Sequence, residues 1–265
     1  AHVDETGSVA RLFSSAIAAG ARWGGSARPG VMIDVGAHHG TALAPFVDLG
    51  WRVFAFEPDE ANRAVLYERL RNHPEGSAVS VDVRAVTRQA GQQLAFFRSE
   101  VSTGISGLSA FHASHREVQH VDSVSLDTYM AEHRIGAVDF LKIDTEGHDL
   151  FVLQGFPWDR ARPAVVECEF EDSKTVPLGY TFHDLARFLL EKGYTVYVSE
   201  WHPIVRYGIR HDWHRLTRYP CELADADGWG NLLAFRDAVD ETAMRRALEP
   251  QTIAAVTAVA QELAP

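Results

Sequence analysis

The feature that most constrains the fold is Val31-Met-Ile-Asp-Val-Gly-Ala-His-His-Gly40, an apolar run that leads into an acid and two glycines. Such a run reads as a buried strand turning sharply into a helix. Glycine stands where a side chain would hold a ligand away from the backbone. A second apolar run, Trp51 to Phe56, ends in Glu57, seventeen residues after Gly40. That carboxylate is placed to accept hydrogen bonds from a ribose diol. Together these features predict the nucleoside-binding half of a doubly wound α/β domain, with ligand at the carboxyl ends of the strands.

The glycine spacing narrows the nucleoside. A dinucleotide fingerprint, Gly-x-Gly-x-x-Gly, needs a middle glycine for close approach to a pyrophosphate. Here His38 occupies that place, and no Gly-Lys-Ser/Thr phosphate cradle occurs in the chain. A cofactor without a pyrophosphate fits better, and S-adenosylmethionine is the common one that carries a ribose.

The 265 residues, 46% of them hydrophobic, suffice for one full core with additions. No run approaches the ~18 apolar residues of a membrane span. The first residues lack the basic and apolar regions of a signal peptide. Cys168 and Cys221 are too few for a disulfide framework, so a cytoplasmic protein is expected. The formal charge of −11 argues against a nucleic-acid partner, although the basic residues between Arg206 and Arg218 run against the average. No membrane partner is expected, and a homodimer is left open.

Alternating helix and strand patterns predict a Rossmann-like, mostly parallel seven-stranded sheet with helices on both faces. An N-terminal helix is expected over 8–22, within a leading segment 1–30. Strands are expected at 31–35, 51–56, 79–86, 93–97, 121–126, 138–143 and 163–170, with 194–200 and 231–236 as an antiparallel edge pair. Residues 98–120 show no period and read as a long polar loop, a kind usually functional or mobile. The main domain is expected over 31–236, with an aromatic insertion at 201–230. An Ala-rich helical extension follows over 237–265.

Asp34-Val-Gly-Ala-His-His-Gly40, Phe56-Glu-Pro58, Ser125-Leu-Asp127, Leu141-Lys-Ile-Asp-Thr-Glu-Gly147, Val152-Leu-x-Gly155 and Pro163-Ala-Val-Val-Glu167 occur in that order. The series resembles the FkbM family of S-adenosylmethionine-dependent methyltransferases, over roughly residues 31–236. The resemblance implies a class I methyltransferase fold and methyl transfer, in many members to hydroxyl oxygens, sugars among them. It departs at His38, where the family often has asparagine.

Cofactor contacts are expected from Asp34, Gly36, His38, Gly40, Thr41, Glu57, Pro58 and Asp144, and, by analogy with the family, adenine near Asp82 and Arg84. Methyl transfer is an in-line displacement needing the acceptor oxygen about 3 Å from the methyl carbon. A nearby base helps, because an alcohol is a poor nucleophile until its proton is taken. Asp144, Glu146 and His148 are the catalytic candidates, and His39 is an alternative imidazole. Asp144 reads equally as a base or as the partner of the methionine ammonium; Glu146 reads as a helix cap or a crevice residue.

Glu167, Glu169 and Glu171 share one strand face. Their repulsion is relieved by pairing with Lys142, Lys174 or an arginine, or by a hard cation such as Mg2+ held through Asp144 and Glu169. Trp201, His202, Tyr207 and Trp213 suit stacking on a sugar, while loop packing is the plainer reading. His211 and His214 alone make a weak metal pair. The reading is an O-methyltransferase acting on a sugar, glycoside or oligosaccharide hydroxyl. The alternatives are a polyketide or other secondary-metabolite hydroxyl, a nicotinamide-dependent oxidoreductase, and a non-catalytic nucleoside-binding scaffold.

Overall fold

The structure is a computed structural model that describes residues 3–18, 29–206 and 211–248. Helix α1 (Glu5–Ala18) precedes β1 (Val31–Val35), α2 (Ala44–Asp48), β2 (Arg52–Phe56), α3 (Glu60–Arg71) and β3 (Val79–Asp82). A side unit follows, made of β4 (Ala85–Val86), β5 (Gln93–Ser99) and β6 (His115–Val124). The chain then alternates through α4 (Leu126–Glu132), β7 (Phe140–Ile143), α5 (Asp149–Gln154), β8 (Val165–Glu171), α6 (Asp172–Thr175), α7 (Phe182–Glu191) and β9 (Thr195–Trp201). It closes with β10 (Trp213–Arg218), β11 (Trp229–Phe235) and α8 (Glu241–Leu248).

Eight strands form the main sheet in the order β10-β9-β11-β8-β7-β1-β2-β3. From β3 to β8 neighbouring strands are parallel; β11 enters antiparallel between β8 and β9, and β10 pairs antiparallel with β9. The strand order reverses between β1 and β7, which opens a crevice at their carboxyl ends. Helices cover both faces: α4, α5 and α7 pack on one, and α1, α2, α3 and α8 on the other.

Local chemistry sets the helix starts. The Asp59 carboxylate accepts from the N–H groups of Ala61 and Asn62 at the start of α3. Ser125 caps α4, and Thr181 with Asp184 forms a capping box on α7.

Three expectations need correction. The stretch 98–120 is not a continuous loop: β6 begins at His115 and pairs antiparallel with β5. Much of β6 is exposed, so no apolar alternation marks it. The run 79–86 splits, because β3 joins the main sheet while β4 turns away to pair with β6. The insertion contributes an eighth strand, β10, so β9 is not the edge and β11 lies inside the sheet. The C-terminal extension beyond Leu248 and the second half of the predicted N-terminal helix, beyond Ala18, lie outside the described residues.

Helix α1 belongs to the same core as the sheet. Phe13 is fully buried, with ring centroids 4.8 Å from Trp51 and 6.4 Å from both Phe46 and Phe140. Phe13→Ala should destabilise the fold by about 3–5 kcal/mol, as for other fully buried phenylalanines. Urea unfolding followed by circular dichroism measures this. A loss below 1 kcal/mol, on the order of a surface change, would detach α1 from the core.

Candidate active site

The crevice is set by how closely β1 and β7 approach. Gly36 has φ +85, and a Cβ there would lie 1.8 Å from the carbonyl oxygen of Asp144. Any side chain would force the two strand ends apart. The N–H groups of Gly36 and Ala37 both donate to Phe56 O, and Asp144 N–H donates to Val35 O. Three strand ends are thereby locked around an open cavity of about 740 Å3. Gly36, His38, Glu57, Pro58, Asn62 and Arg84 line one side, Asp144, Thr145 and Glu146 another. Phe96, Gly104, Ser106, Gly107 and Leu108, from the side unit, complete the lining.

Glu57 is prepared for a ligand. Its Oε2 accepts from His38 N–H at 2.7 Å and its Oε1 from Asp59 N–H at 2.8 Å. The carboxylate keeps acceptor capacity beyond these two bonds, which suits a ribose diol. Residue His38 reaches this position through a left-handed backbone, φ 48. Asn62, which the sequence did not single out, hydrogen-bonds Glu57 and keeps a buried Oδ1 without a partner among the described residues. That orphaned acceptor lines the cavity and fits a nucleoside donor. The side unit is latched over the site by Arg98, whose guanidinium meets Asp59 at 2.6 and 3.0 Å, and by Gln119, which donates to Pro58 O.

A second, wider cleft opens beside the first. The start of α1 (Glu5, Thr6 and Gly7), Thr41 and Pro45 line one flank, Trp201, His211, Trp229 and Asn231 the other, and Lys142, Asp144 and Glu167 also line it. Among the described residues, Asp144 alone lines both spaces. Its side chain is 42% exposed, against 0% for Asp34 and 9% for Glu146.

Two lysines manage the surrounding acids. Lys142 Nζ lies 3.4 Å from Asp34 Oδ1 and 3.5 Å from Asp144 Oδ2. Burial works against its charge, but Asp34, Asp144 and Glu167 more than offset this and raise its pKa. Lys174 Nζ meets Glu146 at 2.5 Å, Glu171 at 2.8 Å and Glu169 at 3.2 Å. Burial pushes Glu169 well above the carboxylate range, and nearby Glu146 adds to this. Oxygens of Asp144, Glu146 and Glu169 come within 4.8 Å of one another. Lys174 already bonds two of those three, so the positive charge that a cation would bring is present as an ammonium.

Some expected residues fall elsewhere. Asp34 is buried beneath Lys142 and does not line the cofactor cavity. Gly40 faces Leu66 on α3, and Thr41 faces the second cleft. Asp82 is absent from the cavity lining and pairs with Arg84, which does line it. His148 lies outside the cavity lining. Positive φ at Glu146 and Gly147 turns the chain, and the imidazole instead lines a separate recess with Arg88 and Phe151. Burial pushes that imidazole down to about 4. His202 stacks on His214 at 4.4 Å, and Trp213 Nε1 donates to Ser199. Tyr207 lies outside the described residues. Asp149, not foreseen, is fully buried and accepts from Thr145 Oγ1 and Glu169 N–H, which fixes the turn after β7 to β8.

The family model described as "Methyltransferase FkbM domain" matches residues 34–196. No curated protein matches the chain. Among solved structures, a methyltransferase FkbM from Methylobacillus flagellatus is similar at 19% identity and a TM-score of 0.47. That match covers 78% of this chain and 43% of the other. A putative O-methyltransferase from Klebsiella pneumoniae is similar at 10% identity and a TM-score of 0.44, covering 89% and 82%. A precorrin-6y C5,15-methyltransferase from Geobacter metallireducens is similar at 14% identity and a TM-score of 0.39, covering 77% and 80%. The chain thus spans less than half the length of the first of these.

Burial pushes Glu57 up to about 7, against the backbone N–H groups of Asp59 and His38. Its ionised form, which accepts from two hydroxyls, therefore prevails above that pH and is lost below it. Affinity for an adenosyl cofactor should fall as pH drops from 8 to 6, and Glu57→Gln should flatten that dependence. Glu57→Ala should weaken binding by about 1–3 kcal/mol. Titration calorimetry across pH tests both; unchanged affinity in a folded Glu57→Ala protein would remove Glu57 from the site.

Proposed function

The chain belongs to the FkbM family of S-adenosylmethionine-dependent methyltransferases, and from that premise we propose that it methylates a hydroxyl of a sugar, glycoside or oligosaccharide. Membership of the family sets aside the oxidoreductase reading. No helix of the described residues is long and apolar enough to cross a membrane, which accords with a small-molecule acceptor. The observation that carries the proposal is the position of Asp144 in the wall common to both spaces.

The residues present fit the cofactor: Glu57 is poised for two hydroxyls, the orphaned Asn62 Oδ1 awaits a donor, and Gly36 keeps the crevice clear. When bound, S-adenosylmethionine supplies a methyl group activated by its sulfonium sulfur. Glu57, His38 and Arg84 hold the nucleoside end. Phe96, Gly104, Ser106, Gly107 and Leu108 would flank the bound cofactor. The acceptor enters from the second cleft, beside Trp201 and Trp229, whose rings lie 5.5 Å apart.

Asp144 receives the hydroxyl proton as the oxygen attacks. It is the exposed acid of the group, and Lys142 Nζ lies 3.5 Å from its Oδ2. Glu146 and Glu169 are already bound to Lys174, and so serve as structure around the base.

Asp144→Asn should lower kcat by roughly 10²-fold or more, the scale of a lost general base, with little change in cofactor affinity. A parallel loss of affinity would assign Asp144 to the methionine ammonium instead. Exhaustive chelation should leave activity intact, because Lys174 and Lys142 supply the positive charge; activity restored only by added Mg2+ would contradict this. The class of acceptor is tested by transfer of labelled methyl to a panel of neutral oligosaccharides and phenolic hydroxyls. Labelling confined to phenols would favour the secondary-metabolite alternative.

A further inference from the structure

One buried group in the second cleft has no role in binding the cofactor or in moving the proton. Glu167 is 3% exposed and lines the same cleft as Trp201 and Trp229. Its Oε1 accepts from Thr6 Oγ1 at 2.7 Å, across 161 positions of sequence. Its Oε2 is buried with no hydrogen-bond partner among the described residues. Leaving such an oxygen unmatched costs its full desolvation penalty, so a native fold retains it where a ligand will match it.

The neighbouring buried groups are already engaged. Glu5 Oε1 accepts from Ser199 Oγ and Trp201 Nε1, both at 2.7 Å. Lys142, whose backbone pairs with Glu167 across β7 and β8, shares its ammonium between Asp34 and Asp144. We propose that Glu167, held from behind by Thr6, is a specificity-determining residue that binds a second oxygen of the acceptor, one not methylated. The proposal rests on the sugar reading above and deepens it, because a polyol offers a second hydroxyl next to the reacting one.

The chemistry of the carboxyl selects the ligand class. Burial pushes Glu167 up to about 8, countered by Lys142 on β7 and by Thr6, while Glu5 and Asp4 at the start of α1 push the same way as burial. At neutral pH the carboxyl is therefore uncharged and offers one O–H donor beside its acceptor capacity. That pattern matches a hydroxyl or ether oxygen. It gives no counter-charge to a phosphate or a uronate, and the one lysine among the described residues of the lining, Lys142, is already shared between Asp34 and Asp144. The first residues of α1, which hold Glu167 through Thr6, precede the stretch matched by the family model.

The test uses methyl glycosides of neutral hexoses and their monodeoxy analogues as acceptors, with labelled S-adenosylmethionine. Wild-type protein should show a KM at least tenfold higher for one deoxy analogue. Glu167→Leu should raise KM for the parent glycoside by at least tenfold, leave cofactor affinity within twofold, and erase the penalty for that one analogue. Glu167→Gln, which keeps a donor and an acceptor, should restore most of the affinity. Thr6→Val provides a second arm that leaves Glu167 in place: freeing Oε1 lets the carboxyl turn, and KM should rise in the same direction by less. A deoxy penalty that persists undiminished in Glu167→Leu, or in Thr6→Val where the Leu variant does not fold, would overturn the subsite while leaving glycosides as acceptors. Methylation of phenols with no glycoside used would overturn the sugar reading and the assigned ligand together.

Discussion

The site depends on one close approach: the backbone of Gly36 against the carbonyl of Asp144, where a Cβ would sit at 1.8 Å. This contact brings the carboxyl ends of β1 and β7 together at the point where strand order reverses. The hydrogen bonds to Phe56 O then draw in β2, and with it Glu57. Glu57, the cavity floor and Asp144 are thus positioned by one backbone junction. Nothing in that junction comes from a flexible side chain, which suits a reaction requiring in-line alignment.

Charge is the second constraint. The crevice is rich in carboxyl groups within a sheet covered on both faces, and buried like charges cannot all ionise. Lys142 and Lys174 divide the acids into two sets. Glu146, Glu169 and Glu167 are driven towards their neutral forms by burial. Asp144, at the opening between two spaces, is left as the solvent-reached carboxylate beside a cation. Carboxyl groups of different character thus arise side by side from differences in exposure and in lysine partners.

The parts legible in the sequence were those with a short-range physical signature. Gly36 announced the turn, Glu57 a carboxylate in the cavity wall, Asp144 the strand end, and Asp59 the start of α3. Less legible were features that depend on distant partners. β10 pairs along one edge only, and β6 is largely exposed, so neither shows clear alternation. Lys174 and Asp149 act on residues brought near by the turn after β7, whose left-handed Glu146 no propensity would suggest. His148 sits next to that turn and is rotated out of the cavity by it. Thr6 and Glu167, 161 positions apart, meet only because α1 packs on the face of the sheet that carries Glu167.

The central claim is that cofactor and acceptor occupy two spaces that meet at Asp144. A crystal structure with S-adenosylhomocysteine and a neutral methyl glycoside tests it most directly. The ribose should lie on Glu57, the sulfur should face Asp144, and a glycoside hydroxyl should sit on the far side of that carboxylate, within hydrogen-bond reach. A sulfur directed towards Phe96 and residues 104–108, or a glycoside bound away from Trp201 and Trp229, would contradict it.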